Sequence, residues 1–198
     1  MLTKAEQTTK YIIETVAPIF NQKGYVATTM SDITNATGLT KGAIYGNFEN
    51  KEAIAVAAFN KNVNDLLGRV GKHQEQSSSP LQKLYLITDF YRSYFEFSME
   101  LGGCPILNVG VDSAHQNTPL HQQVQHVIQK SQKHIAKLVN WGMETGEIRL
   151  GTDADQFAKF LYVRIQGAIF MGQTMQDKSY LIEAADEVDT YIKNNLEN

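Results

Sequence analysis

Apolar residues recur along almost the whole chain at helical spacing, and no stretch alternates long enough to read as a strand, so the pattern predicts an all-α protein of about nine helices. Thr3-Lys4-Ala5-Glu6 has the form of a capping box. Behind it Ile12, Ile13, Val16, Ile19 and Phe20 make the inner stripe of a first helix that ends near Gly24 and is bent by Pro18. Thr29-Met30-Ser31-Asp32 is a second capping box, opening a short helix with Met30, Ile33 and Ala36 on one face and Gly38 as its left-handed stop. Thr40 caps a third helix, in which Ala43, Ile44 and Phe48 face inward and Lys41, Gly42, Tyr45 and Asn47 face out. Asn50 caps a fourth, from Lys51 to about Lys72.

Gln-Ser-Ser-Ser-Pro at 76–80 is the clearest linker. A helix rich in aromatic residues follows from Leu81 to Glu100, and Gly102-Gly103-Cys104-Pro105 ends it. After a short apolar segment, Ile106 to about Ala114, Thr118-Pro119 opens a helix that runs to Gly146. Thr152 and Asp155 cap a helix from Phe157 to Met171, and a last one runs from about Ser179 to Leu196. Two short capped helices on a glycine turn, with a polar outer face on the second, form a helix-turn-helix and point to DNA. The expected division is a DNA-binding domain at 1–50 and a larger helical domain at 51–198.

Spacing across the first of these regions resembles that of the tetracycline-repressor-like (TetR/AcrR) family of bacterial transcription factors. The matching residues are Gly24-Tyr25, Thr29, Asp32-Ile33, Ala36-Thr37-Gly38, Thr40-Lys41-Gly42, Tyr45, Phe48 and Lys51-Glu52. The resemblance covers about residues 4–56 at motif level and the rest as helix count and lengths. One departure is Asn47, where members usually carry a phosphate-contacting His. The resemblance implies a three-helix DNA-binding domain followed by a helical domain that binds an effector and dimerises through its last two helices.

The DNA-facing set expected from this is Thr29, Thr40, Lys41, Gly42, Ala43, Tyr45, Asn47 and Lys51. Thr40, Tyr45, Asn47 and Lys51 are phosphate candidates, whereas Lys41, Gly42 and Ala43 lie where base edges pass; a core role for Tyr45 is the alternative. The helix at 157–171 is apolar nearly all round and must be buried on more than one side. Phe157, Leu161 and Ala168, with Leu181, Ala185, Val188 and Ile192 on the last helix, are the expected dimer interface, burial within one subunit being the alternative. Phe90, Tyr94, Phe97, Leu107, Val111, Trp141, Phe160, Arg164 and Phe170 are the expected lining of a pocket for a small apolar or aromatic effector. Arg164, a cation on an apolar helix, needs an anion: a ligand carboxylate, an acid across the dimer or an internal acid.

Composition sets the limits. The 198 residues carry a net charge of -3, with +1 on residues 1–51, so DNA affinity must come from a few placed donors and from dimerisation on a pseudo-palindrome. One cysteine, no long apolar run and no apolar leader at the N-terminus make a cytoplasmic protein without a membrane span the expectation. His121 and His126 are five apart and His126 and His134 eight, neither a metal-binding spacing on a helix, and Cys104 stands alone. No catalytic constellation, cofactor motif or metal site is visible, so the expected protein is a ligand-responsive DNA-binding regulator, most simply a repressor, rather than an enzyme. An architectural DNA-binding protein without an effector is the alternative, which leaves the aromatic domain unexplained.

Overall fold

The computed structural model describes residues 2–115 and 118–198. Among them are ten α-helices, a closing π turn and no strand, apart from one isolated bridge between Ile148 and Glu197. The helices are α1 (Lys4–Ala27), α2 (Met30–Thr37), α3 (Lys41–Tyr45), α4 (Lys51–Gln74) and α5 (Pro80–Arg92). They continue as α6 (Tyr94–Glu100), α7 (Pro105–Ser113), α8 (Pro119–Glu144), α9 (Ala154–Met175) and α10 (Ser179–Tyr191), and the π turn covers Ile192–Leu196. No helix among the described residues is long and apolar enough to cross a membrane.

Two compact units result, and they do not follow chain order. The first joins the chain up to Leu66 with Leu101–His126; the second joins Leu67–Glu100 with Val127–Asn198. Helix α7, far beyond residue 50, therefore belongs with the helix-turn-helix, and α4 and α8 each run from one unit into the other.

In the first unit, Ile12, Val16, Phe20, Ile33, Ile44, Phe48, Ile54 and Phe59 are buried and form the core beneath the three N-terminal helices. Helix α1 is broken at Gly24, whose φ of 80° and ψ of 169° no helix permits, whereas Pro18 sits inside its helical run. The loop before α7 lies against α1: the Asn21 amide donates to the carbonyls of Leu101 and Gly103 at 2.7 and 3.0 Å. Gly103 answers a separate constraint, set by Asn108 of α7 rather than by α1. Its φ is 111°, and a Cβ there would lie 2.5 Å from Asn108 Nδ2.

In the second unit, α10 packs on α9 and α5, and α6 packs on α5 and α9. The Arg92 guanidinium on α5 meets Asp186 and Asp189 on α10 at 2.7 and 2.5 Å. The π turn returns the chain so that Leu196 O accepts from the Arg149 amide at 2.8 Å. Two local expectations are revised. The aromatic helix divides at Ser93, whose amide and hydroxyl both turn back to Phe90 O and tighten the last turn of α5. Asp153, not Thr152 or Asp155, caps α9, because its carboxylate accepts from the Gln156 amide at 2.9 Å while the Thr152 hydroxyl donates to Arg149 O.

Glycine substitutions distinguish these environments. Gly103→Ala is expected to lower stability by about 1–3 kcal/mol through backbone strain. Gly68→Ala, in open space on α4, is expected to raise it by about 0.5–1 kcal/mol by lowering chain entropy in the unfolded state. Urea unfolding of the two variants checks both signs.

Candidate nucleic-acid interface

Helices of eight and five residues, α2 and α3, are too short to hold themselves, and their ends are tied by side chains. The Asp32 amide donates to Thr29 Oγ1 at 3.1 Å while the Thr29 amide donates to Asp32 Oδ2 at 2.7 Å. Lys23 reaches the same carboxylate at 2.8 Å. Together these hold Asp32 well below its ordinary value of 3.8, Lys23 contributing most. The stability this capping contributes is therefore fully present above that ordinary value and is lost as pH falls from it through the lowered one. Gly38, with φ 68°, ends α2, and Thr40 starts α3 by accepting from the Ala43 amide at 3.2 Å. Tyr11 on α1 donates to Thr37 O at 2.9 Å, which fixes the turn to the longer helix.

This scaffold buries Ile44 and Phe48 and leaves Thr40, Lys41, Gly42, Ala43 and Tyr45 exposed along the outer side of α3. Ala43, expected to face inward, is among the exposed residues, since Ile44 alone fills the core side of so short a helix. Tyr45 is 39% exposed, with the Lys41 ammonium 5.8 Å from its ring centroid, so it is not a core residue. Thr29 is exposed at the start of α2.

Two expected phosphate ligands are engaged within the chain instead. Asn47 accepts from the Thr9 hydroxyl at 3.0 Å and donates to Ala43 O at 2.8 Å, joining α1 to α3. Lys51 turns inward: its ammonium donates to Tyr25 O and Thr28 O at 2.8 and 2.6 Å and lies 4.4 Å from the Tyr25 ring centroid. Burial pushes that ammonium below its ordinary value, against the pull of Asp112 and Asp32. Both side chains hold the backbone that presents the outer face.

Of the expected effector-site residues, Phe90, Tyr94 and Phe97 come together as a ladder of rings 5.9–6.0 Å apart, with Arg69 4.2 Å from Phe97. The others do not join them as a set. Leu107 and Val111 belong to the other unit, and Val111, Trp141 and Phe170 are 68%, 41% and 52% exposed. Phe160 packs on Tyr191 at 4.6 Å, and Arg164 pairs with Glu187 of α10, the internal acid among its three possible anions. Reading the residues missed a polar stripe on α9 formed by Tyr162, Gln166 and Gln173. The Gln166 oxygen and the Gln173 nitrogen are buried without hydrogen-bond partners. Its signal was present in the sequence as polar residues recurring at helical spacing on an apolar helix. Among the described residues no group of three His, Cys, Asp or Glu side chains is placed to hold a metal.

The expected interface stripe is likewise relocated. Phe157, Leu161, Ala168, Leu181, Ala185, Val188 and Ile192 are all buried within the one chain and form the seam between α9 and α10. The apolar surface left on the outside is Val163, Phe170, Met171, Met175 and Ile182, exposed beside a groove that includes Gly167 and Tyr180.

A glycine-turned helix pair with an exposed second helix, carried ahead of a second helical unit, defines a helix-turn-helix DNA-binding regulator. Residues 12–58 match the model described as bacterial regulatory proteins of the tetR family, and residues 80–188 match the tetracyclin repressor-like C-terminal domain, so the chain belongs to the TetR family of transcriptional regulators. It is similar to a TetR regulator of Chloroflexus aurantiacus, 33% identical over 99% of both chains with a TM-score of 0.92. A TetR-family regulator of Cytophaga hutchinsonii is 30% identical, with a TM-score of 0.91 over 100% of this chain and 98% of that one. The HTH-type transcriptional repressor DhaR of Mycobacterium sp. (strain GP1) is 27% identical over 160 residues, 81% of this chain and 79% of that protein.

Lys41 and Lys51 should separate cleanly. Lys51→Ala is expected to cost about 1–2 kcal/mol of folding stability through its lost carbonyl bonds. Lys41→Ala should leave thermal unfolding unchanged and relax discrimination at particular base pairs by about 1–3 kcal/mol. Calorimetry and competition against operator point variants measure the two effects.

Proposed function

We propose that the protein is a dimeric, cytoplasmic repressor that leaves a pseudo-palindromic operator when a small molecule binds its C-terminal half. The observation that carries the DNA reading is the outer side of α3: Lys41, Gly42, Ala43 and Tyr45 are exposed on backbone fixed by Thr40, Asn47 and Tyr11. Lys41 is the base-reading donor, suited to guanine O6 and N7, and Ala43 suits a thymine methyl. Thr29, Thr40 and Tyr45 contact phosphates; Asn47 and Lys51 keep the surface in shape. With a net charge of +1 on residues 1–51, one copy holds DNA weakly at physiological salt, and two related by a two-fold axis read two half-sites.

The second copy sits on the outer face of α9 and α10, where Val163, Phe170, Met171 and Ile182 are exposed. The effector is small, uncharged and largely apolar. Its hydrogen-bonding groups meet the Gln166 oxygen and the Gln173 nitrogen, both buried and otherwise unpartnered, while the nearby cation Arg164 already serves Glu187. A solved structure of similar fold, the transcriptional regulator FadR from Bacillus subtilis, is in complex with stearoyl-CoA, so a protein of this fold can take up a small molecule.

Selection of bound duplexes from a random pool is expected to return a two-fold consensus; a consensus without two-fold symmetry overturns the reading. Phe170→Glu with Met171→Glu places charges on the outer face and should give a helical monomer by sedimentation that has lost operator affinity. An unchanged dimer would move the interface elsewhere. In a thermal-shift screen, neutral aromatic compounds should stabilise the wild type and fail to stabilise Gln166→Leu, and a response confined to anionic compounds would refute the proposed effector chemistry.

A further inference from the structure

The break at Gly24 opens the α1 ladder at a defined point. In a continuous helix the Tyr25 amide would donate to Asn21 O; with Gly24 at ψ 169° the two groups part, one donor and one acceptor short. Both find replacements on α7. Asn108 Nδ2 donates to Asn21 O at 3.0 Å, and Asp112 Oδ2, one turn further along the same face, accepts from the Tyr25 amide at 2.6 Å and the Val26 amide at 3.2 Å. Asn108 also donates to Gly102 O at 2.9 Å, so α7 and its entry loop are stitched to α1 by the same residue. Gly24 has a φ of 80°, which favours glycine, and a Cβ there would lie 3.1 Å from Asp112 Oδ2, close enough to push that carboxylate aside. Past the break the chain is held from its other side by Lys51 at Tyr25 O and Thr28 O, and the next residue is Thr29, the cap of α2.

We propose that Asn108 and Asp112 are positioning residues for DNA recognition: together they splice the broken end of α1, fix the angle at which the chain enters α2, and so set where α3 stands. The matched family models divide the protein differently, since α7 lies within the C-terminal match at 80–188 and not within the N-terminal match at 12–58. By its contacts α7 is a part of the DNA-binding unit contributed by the other half of the sequence. The proposal rests on the reading of α3 as the DNA-contacting helix.

The test uses the full-length protein, the operator duplex returned by selection, and amide hydrogen exchange without DNA. Asp112→Ala removes the acceptor; Asp112→Asn keeps an oxygen that the same amides can reach; Asn108→Ala removes the other half of the splice. In Asp112→Ala, Tyr25, Val26 and the first turn of α2 should lose protection while α9 and α10 keep theirs, and operator affinity should fall roughly tenfold, as expected for lost charge-assisted bonds. Asp112→Asn should stay within about threefold of wild type, and Asn108→Ala should show the same local loss with a smaller effect on affinity, which decides the matter if Asp112→Ala does not fold. Unchanged protection at Tyr25 and Val26 overturns the splice. Lost protection with wild-type operator affinity, or loss spread evenly over both units, overturns the positioning role. A wild type that selects no two-fold duplex instead refutes the repressor reading, a result distinct from either.

Discussion

Backbone groups that leave a helix must be satisfied elsewhere, and in this protein that requirement is sharpest over the five residues from Gly24 to Thr28. The amides of Tyr25 and Val26 are met by the Asp112 carboxylate of α7, the carbonyls of Tyr25 and Thr28 by the Lys51 ammonium of α4, and the carbonyl of Gly24 by the amide and hydroxyl of Thr28. Neither Asp112 nor Lys51 lies near the segment in sequence. What α2 and α3 stand on is therefore assembled from three separate stretches of chain, and the orientation of these short helices depends on that junction together with the Tyr11–Thr37 and Thr9–Asn47 bonds and the buried Ile33 and Ile44.

Capping chemistry was legible from sequence because it is local. Thr29 with Asp32, Gly38, Thr40 and Asn50 each act within four residues, and each does in the structure what its residue type dictates. Direction of reach was not legible. Lys51 and Asn47 have side chains long enough to turn either way, and which way depends on carbonyls and hydroxyls that only the folded chain brings near. The pairing of Asp112 with Tyr25 left no local trace, since the partners are 87 residues apart.

Helix α9 shows a different limit. A helix with apolar residues all round has no unique inner face, so periodicity alone could not say which residues meet α10 and which face away. The inner set, Phe157, Leu161 and Ala168, and the outer set, Val163, Phe170 and Met171, are both apolar, the first buried and the second exposed by their angle around the axis. The polar stripe through Gln166 and Gln173 stands between them, and it is the feature of α9 that hydrophobicity could not hide.

Lys41, Gly42, Ala43 and Tyr45 are exposed, while the work of holding α3 falls on Thr40, Ile44, Asn47 and Phe48. Exposed and packed positions thus alternate within the same short stretch. Such a separation lets the exposed side chains be exchanged without disturbing the packing that holds the helix in place.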